Sequence, residues 1–235
     1  MDRVFVDDIV LEGDNYKHLI RVRRLKENDV LEIVLDDKVY LSKIVSVDKK
    51  SANLEIVEQI NVPENLVEIT LYQSIIDKKK METVFKLCTA LGVKKFVPIL
   101  SEYVGPTKNL DFDNDRNYEI LKEAAQQSKG NFIPKINKPM KFKDAIKNSR
   151  ENDLSIILYE NEDTCYIKDV IDDSIKSIGI FVGPEGGFSK DEVDFAKSNN
   201  VKSTRLFSRI LRSELAGFSA ASIINANMEA YEGKN

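Results

Sequence analysis

Two runs of apolar residues constrain the fold more than anything else in the chain: Leu154–Tyr159 and Ile178–Val182. Each is nearly continuous, which is the pattern of a strand covered on both faces, as in a parallel sheet layered between helices. The segments around them agree. Val67–Tyr72 and Phe96–Leu100 read as further strands. Between them, Lys79–Ala90 carries Met81, Val84, Phe85, Cys88 and Leu91 at helical spacing, with Gly92 placed as a C-cap. Tyr118–Gln127 reads as a second helix. Strands alternating with helices predict an α/β domain built on a parallel sheet.

The chain begins in a different pattern. Val30–Leu35, the polar turn Asp36-Asp37-Lys38 and Val39–Val47 predict a hairpin, and Leu54–Glu58 follows with apolar residues alternating with acids. Short strands at this spacing predict a small β-barrel. Pro63-Glu64-Asn65 punctuates the change, so the expected domains are 1–65 and 66–235.

Composition removes several function classes. At 235 residues the chain can bury a core without staples. Cys88 and Cys165 stand far apart, with no Cys or His near either, so no disulfide framework, zinc ribbon, CxxC motif or other metal site is expected. A reducing cytoplasm fits, with neither signal peptide nor membrane span expected. The net charge of -4 excludes a global basic field. Local patches remain: Lys17–Lys26 holds five basic residues and no acid, and Arg205, Arg209 and Arg212 form a second group. Six of the nine arginines lie in these two places, and a guanidinium grips phosphate with a two-pronged fork.

The most informative short segment is Phe181-Val182-Gly183-Pro184-Glu185-Gly186-Gly187-Phe188-Ser189. It follows an apolar strand and leads into Ser189-x-x-Glu192, the spacing of a capping box. A strand, a glycine loop and a helix make either a plain tight turn or a ligand loop at the carboxyl end of a strand. It matches neither a P-loop nor G-x-G-x-x-G. Thr204–Phe207 reads as the next strand, followed by Ser208–Ala216. Two such loops at neighbouring strand ends can form a pocket, with Glu160 as a third wall.

G-P-E-G-G-F-S-x-x-E, followed roughly twenty residues later by R-I-L-R-S-E-x-A, resembles the RsmE family, the 16S ribosomal RNA uridine-N3 methyltransferases of the SPOUT class. The likeness runs over nearly the whole chain: His18-Leu19 with Val22-Arg23 and Asn28-Asp29, Lys79–Pro98, and Glu123–Ser128 also match. The resemblance implies a PUA-like N-terminal barrel, a C-terminal α/β domain with a trefoil knot, a homodimer, and S-adenosyl-L-methionine held in the knot. The cofactor set it implies is Leu158, Glu160, Val182, Gly183, Glu185, Gly186, Gly187, Leu206, Phe207, Ser208, Ile210, Leu211 and Ala216. The partner it implies is 16S rRNA in the assembled small subunit, contacted by His18, Arg21, Arg23, Arg24, Lys26, Lys129 and Arg209. The acidic residues Asp2, Asp7, Asp8, Asp36 and Asp37 are expected to face away from that RNA. The chain departs from the family pattern at Phe207-Ser208, Leu215, Ala90 and Gly130, the last standing where the family carries arginine beside Lys129.

Proton loss from uracil N3 requires a base or a cation that stabilises the developing anion. Arg212 and Glu214 are the expected catalytic pair. Arg212 would stabilise a uracil oxygen, and Glu214 would take the proton or orient Arg212. Glu185 is expected to brace the glycine loop by accepting backbone N–H groups. His18 is the sole histidine, so no His-based pair can form in the C-terminal domain. Two other readings stay open: a methyltransferase for another RNA or atom, and a non-catalytic RNA-binding relative, which Gly130 and Leu215 favour. Finally, Leu215–Tyr231 has Glu229 as its one charge. Small residues (Ala216, Gly217, Ser219, Ala220, Ala221, Ser222) alternate there with Leu215, Phe218, Ile223, Ile224, Met228 and Tyr231. The pattern predicts a helix shared between core and dimer interface, the alternative being a buried core helix.

Overall fold

The structure, a computed structural model, describes residues 1–62, 65–105, 111, 112 and 114–232, the side chains of 231 and 232 excepted. Pro63 and Glu64 of the expected boundary, and the side chain of Tyr231, lie outside the described residues. The chain forms two units: Met1–Glu64 with Ala125–Phe132, and Asn65–Ala124 with Ile133–Asn235.

The first unit holds β1 (Arg3–Phe5), β2 (Val10–Leu11), the short helix α1 (Gly13–Tyr16), β3 (Val30–Leu35), β4 (Lys38–Val47) and β5 (Ala52–Ile60). They pair in the order β1-β3-β4-β5-β2. β1 and β2 are therefore edges, and the expected barrel is, by its pairing, an open five-stranded sheet. The β3–β4 hairpin turns on two residues, Asp36 and Asp37, with φ of 50° and 59°. Two successive left-handed residues give a turn whose twist matches that of the strands, and aspartate tolerates that region. Val4, Leu11, Leu19, Leu31, Ile33 and Ile44 form the core.

The second unit holds β6 (Glu68–Ser74), α2 (Lys78–Ala90), β7 (Lys95–Leu100), α3 (Asp115–Gln127, whose last residues group with the first unit), β8 (Lys135–Ile136), β9 (Met140–Lys141), α4 (Phe142–Asn148), β10 (Leu154–Leu158), β11 (Ser177–Val182), α5 (Lys190–Ser198), β12 (Lys202–Thr204) and α6 (Ser213–Glu232). Its seven strands run in the order β12-β10-β11-β6-β7, with β8 and β9 both on the outer side of β7, and every pairing is parallel.

The unbroken apolar runs are explained by two separate cores. Alternate residues of the central strands (Ile69, Leu71, Ile178, Ile180, Val182) face one core, shared with Met81 and Phe85 of α2 and Ala220 and Ile224 of α6. Their neighbours Tyr72 and Phe181 stack at 4.3 Å in the other, with Phe142 of α4 and Val193 of α5. Each fully buried large side chain contributes about 1.5–3 kcal/mol. Cys88 is buried in the first core, and burial pushes its thiol up to about 12, so it packs as an inert apolar group. Among the described residues no helix is long and apolar enough to cross a membrane, and no cluster of residues suited to hold a metal ion occurs.

Candidate functional site

The carboxyl ends of β12, β10, β11 and β6 lie side by side, so the segments after Thr204, Leu158, Val182 and Ser74 leave the sheet together. This is where an open parallel sheet binds ligands. Glu160, Gly183–Gly187 and Leu206–Leu211 therefore project from three adjacent strands. The strand expected over Thr204–Phe207 lies earlier in the chain, at Lys202–Thr204. β12 ends at Thr204, and Arg205 leaves the sheet to bridge Tyr166.

The glycine loop is tight because its own backbone folds back on itself. A Cβ on Gly183 would stand 3.0 Å from the carbonyl carbon of Gly187. Gly187 has φ of +73°, and a Cβ there would meet Glu160 Oε1 at 2.7 Å. Val182 is buried, Gly183 and Gly187 are half-buried, and Glu185 and Gly186 are exposed. The loop runs into α5 through the predicted capping box: Ser189 Oγ accepts from Glu192 N at 3.3 Å, and Glu192 Oε2 accepts from Ser189 N at 3.1 Å. Glu192 does more than the motif requires. Its Oε1 accepts from Glu102 N at 2.9 Å, and burial raises its pKa above the ordinary carboxylate value. That bond ties the segment after β7 to the loop, where Tyr103 lies against Gly186 (3.2 Å from a Cβ built there).

Of the other expected cofactor residues, Leu158, Leu206 and Leu211 are half-buried against the core and Ala216 is buried. Phe207, Ser208 and Ile210 stand in the open, with Ile210 80% exposed. Arg209 and Arg212 are exposed, and no ion pair joins Arg212 to Glu214 among the described residues. Glu214 is half-buried, and its Oε2 is enclosed without a hydrogen-bond partner.

Glu185 accepts from its own backbone N–H, as a loop brace would, but its strongest partner is a side chain. Its side chain takes Lys80 of α2 at 2.8 Å, and that hydrogen bond holds its carboxyl below the ordinary range. The hydrogen bond to Glu185, with the charges of Glu185 and Glu214, in turn raises Lys80. Lys80 was missed from sequence, yet Lys78, Lys79 and Lys80 crowd the first turn of α2, where the helix dipole disfavours cations. That unfavourable placement was the available signal. Two more missed residues complete the site. Gln73, at the end of β6, donates from Nε2 to Ser213 Oγ at 3.0 Å, and Ser213 donates to Gly183 O at 2.5 Å.

In the first unit, Lys17–Val22 forms a π-helical segment with His18 and Arg21 exposed on it, and Arg23, Arg24 and Lys26 are exposed in the turn that follows. Arg21 lies 5.5 Å over the Tyr16 ring and donates to Lys49 O. Two expectations fail here. Asp2 does not face away from the basic run, because its Oδ2 pairs with Arg23 Nη2 at 3.2 Å. Lys129 does not offer a free charge, because its ammonium pairs with Glu32 at 2.9 Å beside Arg3. Burial works against the Glu32 charge, but Lys129 and Arg3 outweigh it and hold its pKa down.

Residues 63–225 match the RNA methyltransferase domain family, and residues 11–57 match the RNA methyltransferase PUA domain family. The ribosomal RNA small subunit methyltransferase E of Aquifex aeolicus is 34% identical over 218 residues, covering 92% of this chain and 93% of its own length. The chain belongs to the ribosomal RNA small subunit methyltransferase E family. The Rickettsia conorii member is 30% identical, over 90% of this chain and 87% of its own. Among solved structures, the family member from Neisseria gonorrhoeae, crystallised with S-adenosyl methionine, shares the fold with a TM-score of 0.83 at 24% identity, over 97% of this chain and 98% of its own. The loops that leave β12, β10 and β11 together thus lie in the segment matched to the methyltransferase domain.

Proposed function

We propose that the chain is a cytoplasmic S-adenosylmethionine-dependent methyltransferase that modifies N3 of a uridine in 16S rRNA of the small ribosomal subunit. The observation that carries this reading is the convergence of Glu160, the Gly183–Gly187 loop and the Leu206–Leu211 loop at adjacent carboxyl ends of a parallel sheet. The residues fit such a cofactor. The glycines at 183 and 187 let the loop close on its own backbone and against Glu160, which sets its backbone groups at the strand ends, and Gln73 Oε1 and Glu214 Oε2 are enclosed acceptors without partners among the described residues. No phosphate-binding motif is present, in keeping with an adenosine that carries none.

S-adenosylmethionine supplies, when bound, a methyl group on a positively charged sulfur. The remaining work belongs to the protein and consists of positioning and proton handling. The backbone of the glycine loop, held to α6 by Ser213, forms one wall, and Leu206–Leu211 forms the opposite one. Glu214 is the candidate proton acceptor, since an enclosed carboxylate oxygen with no donor is costly to keep idle. Arg212, exposed and outside any ion pair among the described residues, is free to meet a uracil oxygen as charge develops on it. The exposed arginines of Lys17–Lys26 supply sequence-independent phosphate contacts. Domains at 1–65 and 66–235, the trefoil knot and the homodimer belong to the same proposal. The dimer is supported by Leu215, 41% exposed on the face of α6 opposite buried Ala216 and Ala220.

Purified protein incubated with S-adenosylmethionine and small subunits lacking the modification tests the reading, with mass spectrometry locating the product. One methyl on a uridine N3 is expected. A methyl on another atom or RNA would replace the substrate assignment. A second reading, a non-catalytic RNA-binding relative, is favoured by Gly130 and by the engagement of Lys129 with Glu32. Failure to bind S-adenosylmethionine in calorimetry would select it.

A further inference from the structure

We propose that Gln73 receives the α-ammonium group of the cofactor's amino-acid half; this rests on the reading above that the ligand is S-adenosylmethionine. Gln73 is the last polar residue one would place on a core strand. It lies opposite Val182 in the β6–β11 register, directly beneath the glycine loop, and is 1% exposed.

Its amide can point only one way. Nε2 donates to Ser74 O at 3.0 Å and to Ser213 Oγ at 3.0 Å. The single proton of Ser213 goes to Gly183 O, so toward Gln73 this hydroxyl can only accept. Flipping the amide would set its oxygen against two acceptors. The Oε1 orientation is thereby fixed, and Oε1 has no partner among the described residues. A buried acceptor left in this state is costly, and a ligand donor would recover that cost. The residue after Ser213 repeats the situation, because Glu214 Oε2 is also enclosed and unpartnered. Two orphan acceptors thus flank the start of α6.

The donor they suit is cationic. One of the two is a carboxylate oxygen, Glu214 Oε2, and the nearby Lys80 ammonium is already engaged by Glu185. An alkyl ammonium brings three N–H donors and the matching charge.

Calorimetry on the full chain tests this with two probes: S-adenosylhomocysteine and its deaminated analogue, which keeps the carboxylate and lacks the ammonium. The wild-type chain is expected to prefer S-adenosylhomocysteine tenfold or more. Gln73→Met should weaken S-adenosylhomocysteine about tenfold and leave the analogue within twofold, erasing the preference. Gln73→Glu, which keeps an acceptor but loses the bond to Ser213, should retain the preference. Equal weakening of both probes by Gln73→Met would overturn the proposal, showing that Gln73 acts only by holding Ser213 and the loop. Equal affinity of the wild type for both probes would overturn it without any variant. Binding of neither probe would remove the cofactor reading itself, and the proposal with it.

Discussion

Replacing Gly183 by alanine separates two opposed effects whose sizes can be set from the structure. Gly183 does not occupy the left-handed region, so alanine fits its backbone angles and lowers the entropy of the unfolded chain, a gain of about 0.4–1 kcal/mol. Against this, the new Cβ would stand 3.0 Å from the carbonyl carbon of Gly187 and 3.1 Å from its Cα. Those are backbone atoms on the same loop, and no rotamer change can move them aside. Opening the loop also strains the bond from Ser213 to Gly183 O. Overpacking of this kind costs about 1–3 kcal/mol. The difference is a net loss of up to about 2.5 kcal/mol, which for a chain of this size lowers the melting temperature by up to about 10 °C. Gly105 provides the control, since its φ is also outside the left-handed region and no described residue lies within 4 Å of its Cβ position. Gly105→Ala should therefore keep or slightly raise the melting temperature in the same calorimetric scan, and cofactor affinity should fall for Gly183→Ala alone. A Gly183→Ala protein as stable as Gly105→Ala would refute the idea that the loop is closed against its own backbone.

Removing the charges of Arg21, Arg23, Arg24 and Lys26 together should lower the log–log salt slope of RNA binding by about 0.7–0.9 for each phosphate no longer gripped; an unchanged slope would exclude this face from the interface. Ala220→Arg should yield insoluble or unfolded protein rather than a soluble monomer, because Ala220 is wholly buried in its own unit; Leu215→Glu is the variant expected to give a folded monomer in sedimentation. Burial works against the charge of Glu162, but hydrogen bonds led by Thr164 and the Lys197 ammonium outweigh it and pull its pKa down to about 2. Its ionised form therefore stabilises the fold above the unfolded value near 4.5, and that contribution is lost as pH falls toward 2. Glu162→Gln should flatten acid unfolding in that window and lower stability at neutral pH, read by urea titration.

The α/β architecture was legible because its signals are local. Continuous apolar strands, the spacing of Met81, Val84, Phe85 and Cys88, and the Ser189–Glu192 capping box each lie within one element. All three are present in the structure. The glycine loop and its neighbours were legible as candidates because Gly183, Gly186 and Gly187 cluster after a strand. What stayed hidden was set by partners far away in sequence. Gln73 looks like an ordinary strand residue until Ser213, 140 positions on, fixes its amide. Lys129 reads as a free cation until Glu32 claims it. Glu185 reads as a loop brace until α2 brings Lys80 beside it. Charge pairing across such separations leaves no periodicity to detect.

The small residues of α6 show how one sequence pattern can have two physical causes. A run of Ala, Gly and Ser without charge suggests close approach by another backbone, and a second subunit is one source of it. The first source here is the chain's own sheet. A Cβ on Gly217 would lie 3.1 Å from both methyl carbons of Leu71 and 3.6 Å from Val182, and Ala220, Ala221 and Ile224 are fully buried beside it. Glycine in a helix interior costs about 1 kcal/mol relative to alanine, so the close approach must offset that. The approach has a functional consequence, because it brings the first turn of α6 to the end of β6 and the glycine loop. There Ser213 reaches both Gln73 and Gly183. The small face is thus used within the unit, and the proposed dimer is left with the other face, where Leu215 is exposed and Phe218 and Ile223 are half-buried. Substitutions at Gly217 should therefore alter stability and cofactor affinity together, while those at Leu215 should alter assembly first.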